Sequence, residues 1–173
     1  MIKLILIPLK GVQIVNGENI TFGISKTELL KKIGRPSSEN GNQLFYDDYE
    51  LRIDIDQYDH VEFIECIYGP FLEKTEIEIY NINPFKTKSS DLIQILSEKN
   101  NGKIDQSEEP YCYAFLNSSV GIYRDSCEVD IDEMITEMKN TGEYESNEDW
   151  VLNDKEKAQF FWTVGIGKAK YYE

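Results

Sequence analysis

Histidine occurs once, at His60, and cysteine three times, at Cys66, Cys112 and Cys127. Any catalytic triad or imidazole-based metal centre must use that single ring. Three widely spaced thiols form neither a CxxC site nor an evenly paired disulfide framework, and a reducing, cytoplasmic setting is the simplest expectation. No run approaches the roughly 18 apolar residues that cross a bilayer. The opening Met1–Pro8 is apolar but breaks at Pro8 and Lys10, and no small-residue cleavage pattern follows. Its β-branched content predicts a buried first strand instead. Positive charge is also scarce: 18 Lys and Arg face 32 Asp and Glu in 173 residues, a net charge of −14. A surface that negative repels phosphate, which argues against nucleic acid and anionic membrane as partners.

What is present points to a globular α+β chain. Ser25-Lys-Thr-Glu28 fits a capping box, Leu29, Leu30 and Ile33 give one apolar face, and Gly34 with Pro36 ends the helix. Gln43–Asp47, Glu50–Asp56 and His60–Tyr68 then predict three antiparallel strands. In the second of them Leu51, Ile53 and Ile55 alternate with Arg52, Asp54 and Asp56, the pattern of a sheet with one wet face. The order recurs about 65–70 residues on: a strand over Glu76–Ile82, then a helix capped by Ser90-Asp91 and carrying Leu92, Ile93, Ile95 and Leu96. A hairpin, Tyr111–Leu116 with Val120–Arg124, closes that unit. Ile131, Met134, Ile135 and Met138 place one apolar face on a helix over Val129–Lys139. Thr141–Asp149 reads as a polar loop and Asn153–Ala158 as a helical turn. Gln159–Gly167 is the most β-prone stretch and predicts a central strand that Lys168–Tyr172 extends, with Gly165 and Gly167 marking bulges or a close approach. The expectation is one domain over 1–173, in two helix-plus-meander halves of about 1–70 and 71–173, possible products of a tandem duplication.

Motifs with chemistry fall short of their requirements. Asp54-Ile-Asp56-Gln-Tyr-Asp59 starts like a calcium loop, but Asp59 stands where an EF-hand needs its turn glycine. Gly165-Ile-Gly167-Lys168 lacks the P-loop spacing and is followed by Ala169 rather than Ser or Thr. No GxSxG or local Cys–His pattern activates a nucleophile. Carboxylate pairs for hydrolysis are inevitable by chance among so many acids and single out no residue. No cofactor and no metal is implied.

Charge is the informative feature. Asp125–Asp154 holds eleven acids against Lys139 alone, which is −10 of the net −14. Tyr144 and Trp150 are interleaved with them. Clustered carboxylates speed encounter with a basic protein, and aromatic side chains supply binding energy at interface centres. The candidate partner-binding residues are therefore Asp130, Asp132, Glu133, Glu137, Glu143, Tyr144, Glu145, Glu148, Asp149 and Trp150. The competing surface is the sheet face carrying Arg52, Asp54 and Asp56.

Residues 20–36, Ile-Thr-Phe-Gly-Ile-Ser-Lys-Thr-Glu-Leu-Leu-Lys-Lys-Ile-Gly-Arg-Pro, carry a further pattern with Tyr46, Leu51–Asp56 and Val61–Glu65. It resembles the helix-plus-meander unit of the BamE and β-lactamase-inhibitor-protein-like folds, through Gly23, Ser25, Glu28, Leu29, Gly34, Pro36 and Tyr46. The resemblance covers about residues 18–68 and, more loosely, 75–125. It implies a sheet used as a protein-binding platform and transfers no catalytic residue. The signal peptide and lipidated cysteine of the BamE type are not seen. Small acidic tandem-unit proteins of this kind also resemble immunity proteins of bacterial polymorphic toxin systems. The expected function is non-catalytic: binding and neutralising a basic toxin or effector domain by occluding its active site. A general interaction or scaffold module and a carboxylate-dependent hydrolase are the alternatives.

Overall fold

Leu4 and Leu6 are buried between less buried neighbours, the two-residue period of a strand, and Ile2–Ile7 forms β1. The computed structural model describes residues 1–173. β2 (Gly11–Ile14) turns back antiparallel on β1, and the short β3 (Ile20–Thr21) pairs with β2. α1 (Lys26–Ile33) starts where the Ser25 hydroxyl accepts the Glu28 amide at 3.2 Å, so one half of the capping box forms. It stops at Gly34, whose φ of +85° glycine adopts without strain. The meander follows as β4 (Ser38–Asn40), β5 (Gln43–Tyr46), β6 (Leu51–Ile55) and β7 (Val61–Cys66). A 3₁₀ turn at Gly69–Phe71 leads to β8 (Thr75–Ile79), which lies parallel to β1. Then come α2 (Ser89–Asn100), β9 (Ile104–Asp105), β10 (Cys112–Phe115) and β11 (Val120–Tyr123). α3 (Glu128–Thr141), α4 (Tyr144–Lys157) and β12 (Thr163–Gly167) complete the order.

The architecture is α+β with two sheets. The smaller runs β3-β2-β1-β8 and the larger β4-β5-β6-β7-β12-β11-β10-β9. β12 joins the early and late strands, pairing antiparallel with β7 on one side and β11 on the other. Register aligns one apolar row across the inner face of the larger sheet: Leu44, Ile53, Ile64, Ile166, Val120, Phe115 and Ile104. Leu29 of α1, Leu92 and Leu96 of α2, and Leu4, Leu6, Ile77 and Ile79 of the smaller sheet join these in a single core. Each such side chain stabilises the fold by about 1.5–3 kcal/mol.

Several local expectations need correction. Thr141–Asp149 is not a loop: Tyr144 onward is helical, and the turn expected over Asn153–Ala158 is the end of α4 with its cap, Ala158, rather than a separate element. The strand at Gln159–Gly167 begins only at Thr163, and Lys168–Tyr172 turns away instead of extending it. α2 starts at Ser89 without a side-chain cap, not at a Ser90-Asp91 cap. Leu30 is half-buried, because the core-facing position of α1 is Leu29. The supposed wet face of β6 is largely covered, since Asp54 is only 5% exposed.

One buried carboxylate couples the meander to the smaller sheet. Glu50, 5% exposed, accepts the amides of Glu73, Lys74 and Thr75 at 2.9–3.3 Å and the Thr75 hydroxyl at 2.6 Å. Burial alone raises its pKa, but the Thr75 hydroxyl and the three amides outweigh that and hold the carboxyl below its ordinary value. A lowered folded pKa gives stability that is complete above the unfolded value and is lost as pH falls through the folded one. Glu50→Gln is expected to cost about 2 kcal/mol at neutral pH. The gap to the wild type should close in acid; urea melts at neutral and acidic pH measure it, and a pH-independent gap would refute the charge-based account.

Candidate protein-binding site

The acidic segment folds as an antiparallel helical hairpin with its own small core. Ile131, Met134, Ile135 and Met138 of α3 meet Tyr144 and Val151 of α4 and Ala158 just beyond it, separate from the main cluster. Gly142, at φ +78°, makes the turn between the helices. α4 is polar almost all round, so its helicity rests on this packing and on local bonds. At its start the Ser146 hydroxyl and the Asn147 amide donate to the Glu143 carbonyl at 3.0 and 2.8 Å.

The candidate residues divide into two groups. Asp130 serves the fold: it accepts the Cys127 amide at 2.7 Å and the Tyr111 hydroxyl at 2.8 Å, closing the N-terminus of α3. Those two bonds, the amide's first, hold its carboxyl below the usual range. Asp132 is paired with Lys155 across the hairpin. Tyr144 packs into the hairpin core, with Lys139 Nζ 4.7 Å from its ring centre and its hydroxyl 3.4 Å from Glu148. The remainder are exposed: Glu133, Glu137, Glu143, Glu145, Glu148 and Asp149 lie on the surface, and none forms an ion pair within 4.0 Å. Trp150 is 44% exposed, its indole N–H fixed to the Asn147 side chain at 2.9 Å.

Two apolar positions join this surface that composition did not single out. Leu152 is 50% and Val129 63% exposed. On a helix Glu145, Glu148, Asp149 and Leu152 share one face, and Val129, Asp132, Thr136 and Asn140 share another. The spacing was readable, but only once residues 144–157 are taken as a helix. Leu152 and its neighbouring unpaired Glu145, Glu148 and Asp149 form a face that can bury apolar area and attract positive charge together, while Val129 and Trp150 are exposed on other faces of the hairpin.

A buried cation roots the hairpin in the sheet. Arg124, 6% exposed, donates from Nε to the Pro110 carbonyl at 3.0 Å and from Nη1 to the Ala158 carbonyl at 3.1 Å. Its guanidinium carbon lies 4.9 Å from the Phe161 ring centre. Ala158 closes the C-terminus of α4, where a positive charge also meets the helix dipole favourably.

Other chemistry-bearing groups are occupied. Asp54 gives both carboxylate oxygens to Arg52, at 3.0 and 3.3 Å, and Glu65 takes the same guanidinium at 2.8 Å. Burial raises the pKa of both acids, with Arg52 pulling the other way. Asp56, the third residue of the competing surface, is bound to the Tyr58 and His60 amides and to Lys168. His60 lies 3.8 Å from Asp56 and faces no thiol or hydroxyl partner of its own among its hydrogen bonds. Cys66 is buried, which pushes its thiol up, and Cys127 is buried at the head of α3. No family model, curated protein or solved structure matches the chain.

Proposed function

We propose that this chain is a non-catalytic protein-binding module that docks a basic partner on the exposed faces of the α3–α4 hairpin. The observation that carries the reading is the set of six exposed, unpaired carboxylates on the hairpin, three of which, Glu145, Glu148 and Asp149, share a helix face with exposed Leu152. Long-range attraction brings the partner in, and burial of the apolar side chains keeps it. In its specific form, drawn from the likeness to immunity proteins, the partner is a basic toxin or effector domain in the cytoplasm. The hairpin then acts by covering that domain's active site. A scaffold role differs in one measurable respect, because a scaffold leaves its partner's activity intact.

The raised pKa values of Asp54 and Glu65 favour a hydrolase reading in part, but both acids are bound to one arginine. A general acid and base need a free proton site each. The binding reading therefore leads. Immobilised protein should retain a basic protein from native cell extract and inhibit it in proportion to complex formed. Recovery of the same proteins on a variant with Glu143, Glu145, Glu148 and Asp149 all changed to lysine would dismiss the hairpin as the docking surface.

Trp150 carries a separate prediction. Trp150→Ala is expected to leave the association rate near its original value and to speed dissociation about 30-fold, equivalent to about 2 kcal/mol. Surface plasmon resonance with the captured partner reads both rates. An unchanged dissociation rate would place the indole outside the interface.

A further inference from the structure

The helical hairpin stands where a simple turn would join two neighbouring strands. β11 and β12 pair antiparallel with Tyr123 opposite Thr163, and the Trp162 amide donates to the Tyr123 carbonyl at 2.8 Å. The chain thus leaves the larger sheet at Arg124 and returns beside its point of departure, having built α3 and α4 in between. No strand pairing passes through this excursion.

Its packing is separate as well. The hairpin core has three buried residues, Ile131, Val151 and Ala158, and none of them belongs to the main cluster of 26. α3 and α4 pack chiefly on each other. The ties to the rest of the molecule are polar or cationic. Arg124 donates to the Ala158 carbonyl, the Tyr111 hydroxyl to Asp130, and the Ser89 amide to the Gln159 carbonyl at 2.9 Å. Lys157 Nζ lies 4.2 Å from the centre of the Phe71 ring. Helices of 14 residues are marginal in water without such support.

Charge opposes the folded hairpin. Glu128–Lys157 holds eleven acids and three lysines, and one ion pair, Lys155 with Asp132, crosses between the helices. Like charges held close destabilise a compact state, and bound cations relieve that repulsion.

We propose that the α3–α4 hairpin is an order–disorder switch: it melts and reforms as one unit on an intact sheet, and a basic partner drives it to the folded form. The second half rests on the binding reading above; the separate melting does not. The docking surface exists only in the folded hairpin, so apparent affinity scales with the folded fraction. A bound partner in turn protects the hairpin before it protects the sheet.

Hydrogen exchange of the intact chain, followed through sub-denaturing urea, tests the separate melting. Amides of Ile135, Met138, Val151 and Leu152 should exchange at least about tenfold faster than those of Ile64, Ile122 and Val164. Their urea dependence should also be shallower, because opening the hairpin exposes less surface than unfolding the chain. One common rate and urea dependence for both sets overturns the proposal. Val151→Asp, made in the full chain, places a charge in the small core. It should remove more than half of the far-UV helix signal while Ile64, Ile122 and Val164 keep their protection. Helices that persist in this variant overturn the proposal, and so does sheet protection lost together with the helices. Deca-lysine at low salt is the probe for the partner's role. It should slow exchange in α3 and α4 at least about threefold and leave the three sheet amides unchanged. Equal or absent slowing overturns the partner-driven half, whereas the urea series judges the melting by itself.

Discussion

Replacing Arg124 by leucine will destabilise the protein by about 3 kcal/mol in urea unfolding, among the largest effects of any single surface-remote substitution here. The guanidinium is buried and faces two carbonyls, at Pro110 and Ala158, with the Phe161 ring beside it and no carboxylate in ion-pair range. Leucine keeps the volume and takes away both donors, so two partly buried carbonyls lose their partners and each costs about 1–3 kcal/mol. The Phe161 contact adds to the loss. Arg124→Lys keeps the charge but gathers its donors on a single nitrogen that cannot span both carbonyls, so it should fall between the two. Position matters as much as magnitude. Arg124 links the start of β10 to the end of α4, and its loss should raise hydrogen exchange across α3 and α4 before it touches β7 or β12. A leucine variant within about 0.5 kcal/mol of the wild type would show that Ile131, Val151 and Ala158 alone hold the hairpin.

Arg124 also marks where sequence reasoning stops. Nothing in Tyr123-Arg-Asp125 separates a buried guanidinium from a solvated one, because its partners are carbonyls from residues 14 and 34 positions away. The meander β5–β7 was legible since each strand alternates and each turn is short. The first turn of α1 was legible because Ser25 and Glu28 encode it locally. The parallel contact of β1 with β8 was not, since pairing between residues more than 70 apart leaves no local signature. Strands of two or three residues, β3, β4 and β9, are too short to show a period. α4 failed for the opposite reason. Its buried stripe is Val151, with Tyr144 and Ala158 at the ends, and the acids between them have the composition of a loop. The cover on β6 escaped notice because Tyr171 and Tyr172, which pack on Phe63 of the neighbouring β7, arrive only after the chain turns back at Lys168.

The hairpin's charge gives the second large effect. Changing Glu143, Glu145, Glu148 and Asp149 together to lysine should slow association with a basic partner by about 10- to 100-fold at low salt. All four are exposed, and none is ion-paired, so the substitutions break no salt bridge. They do remove the Tyr144–Glu148 hydrogen bond, a long one at 3.4 Å on the surface. The fold should therefore survive, and an unaltered melting transition is the control. Attraction between exposed charges decays over a Debye length of about 8 Å at physiological salt. Four carboxylates within two turns of helix consequently act on an approaching cation as a group. Their reversal should also flatten the dependence of the association rate on ionic strength, because less of that rate then comes from steering. Dissociation should change less, since it follows the buried contacts of Trp150 and Leu152. The two variants thus separate the halves of the mechanism, with charge in the on-rate and apolar burial in the off-rate. If the quadruple variant keeps both its association rate and its salt dependence, these acids only solvate the hairpin, and binding must lie elsewhere on the molecule.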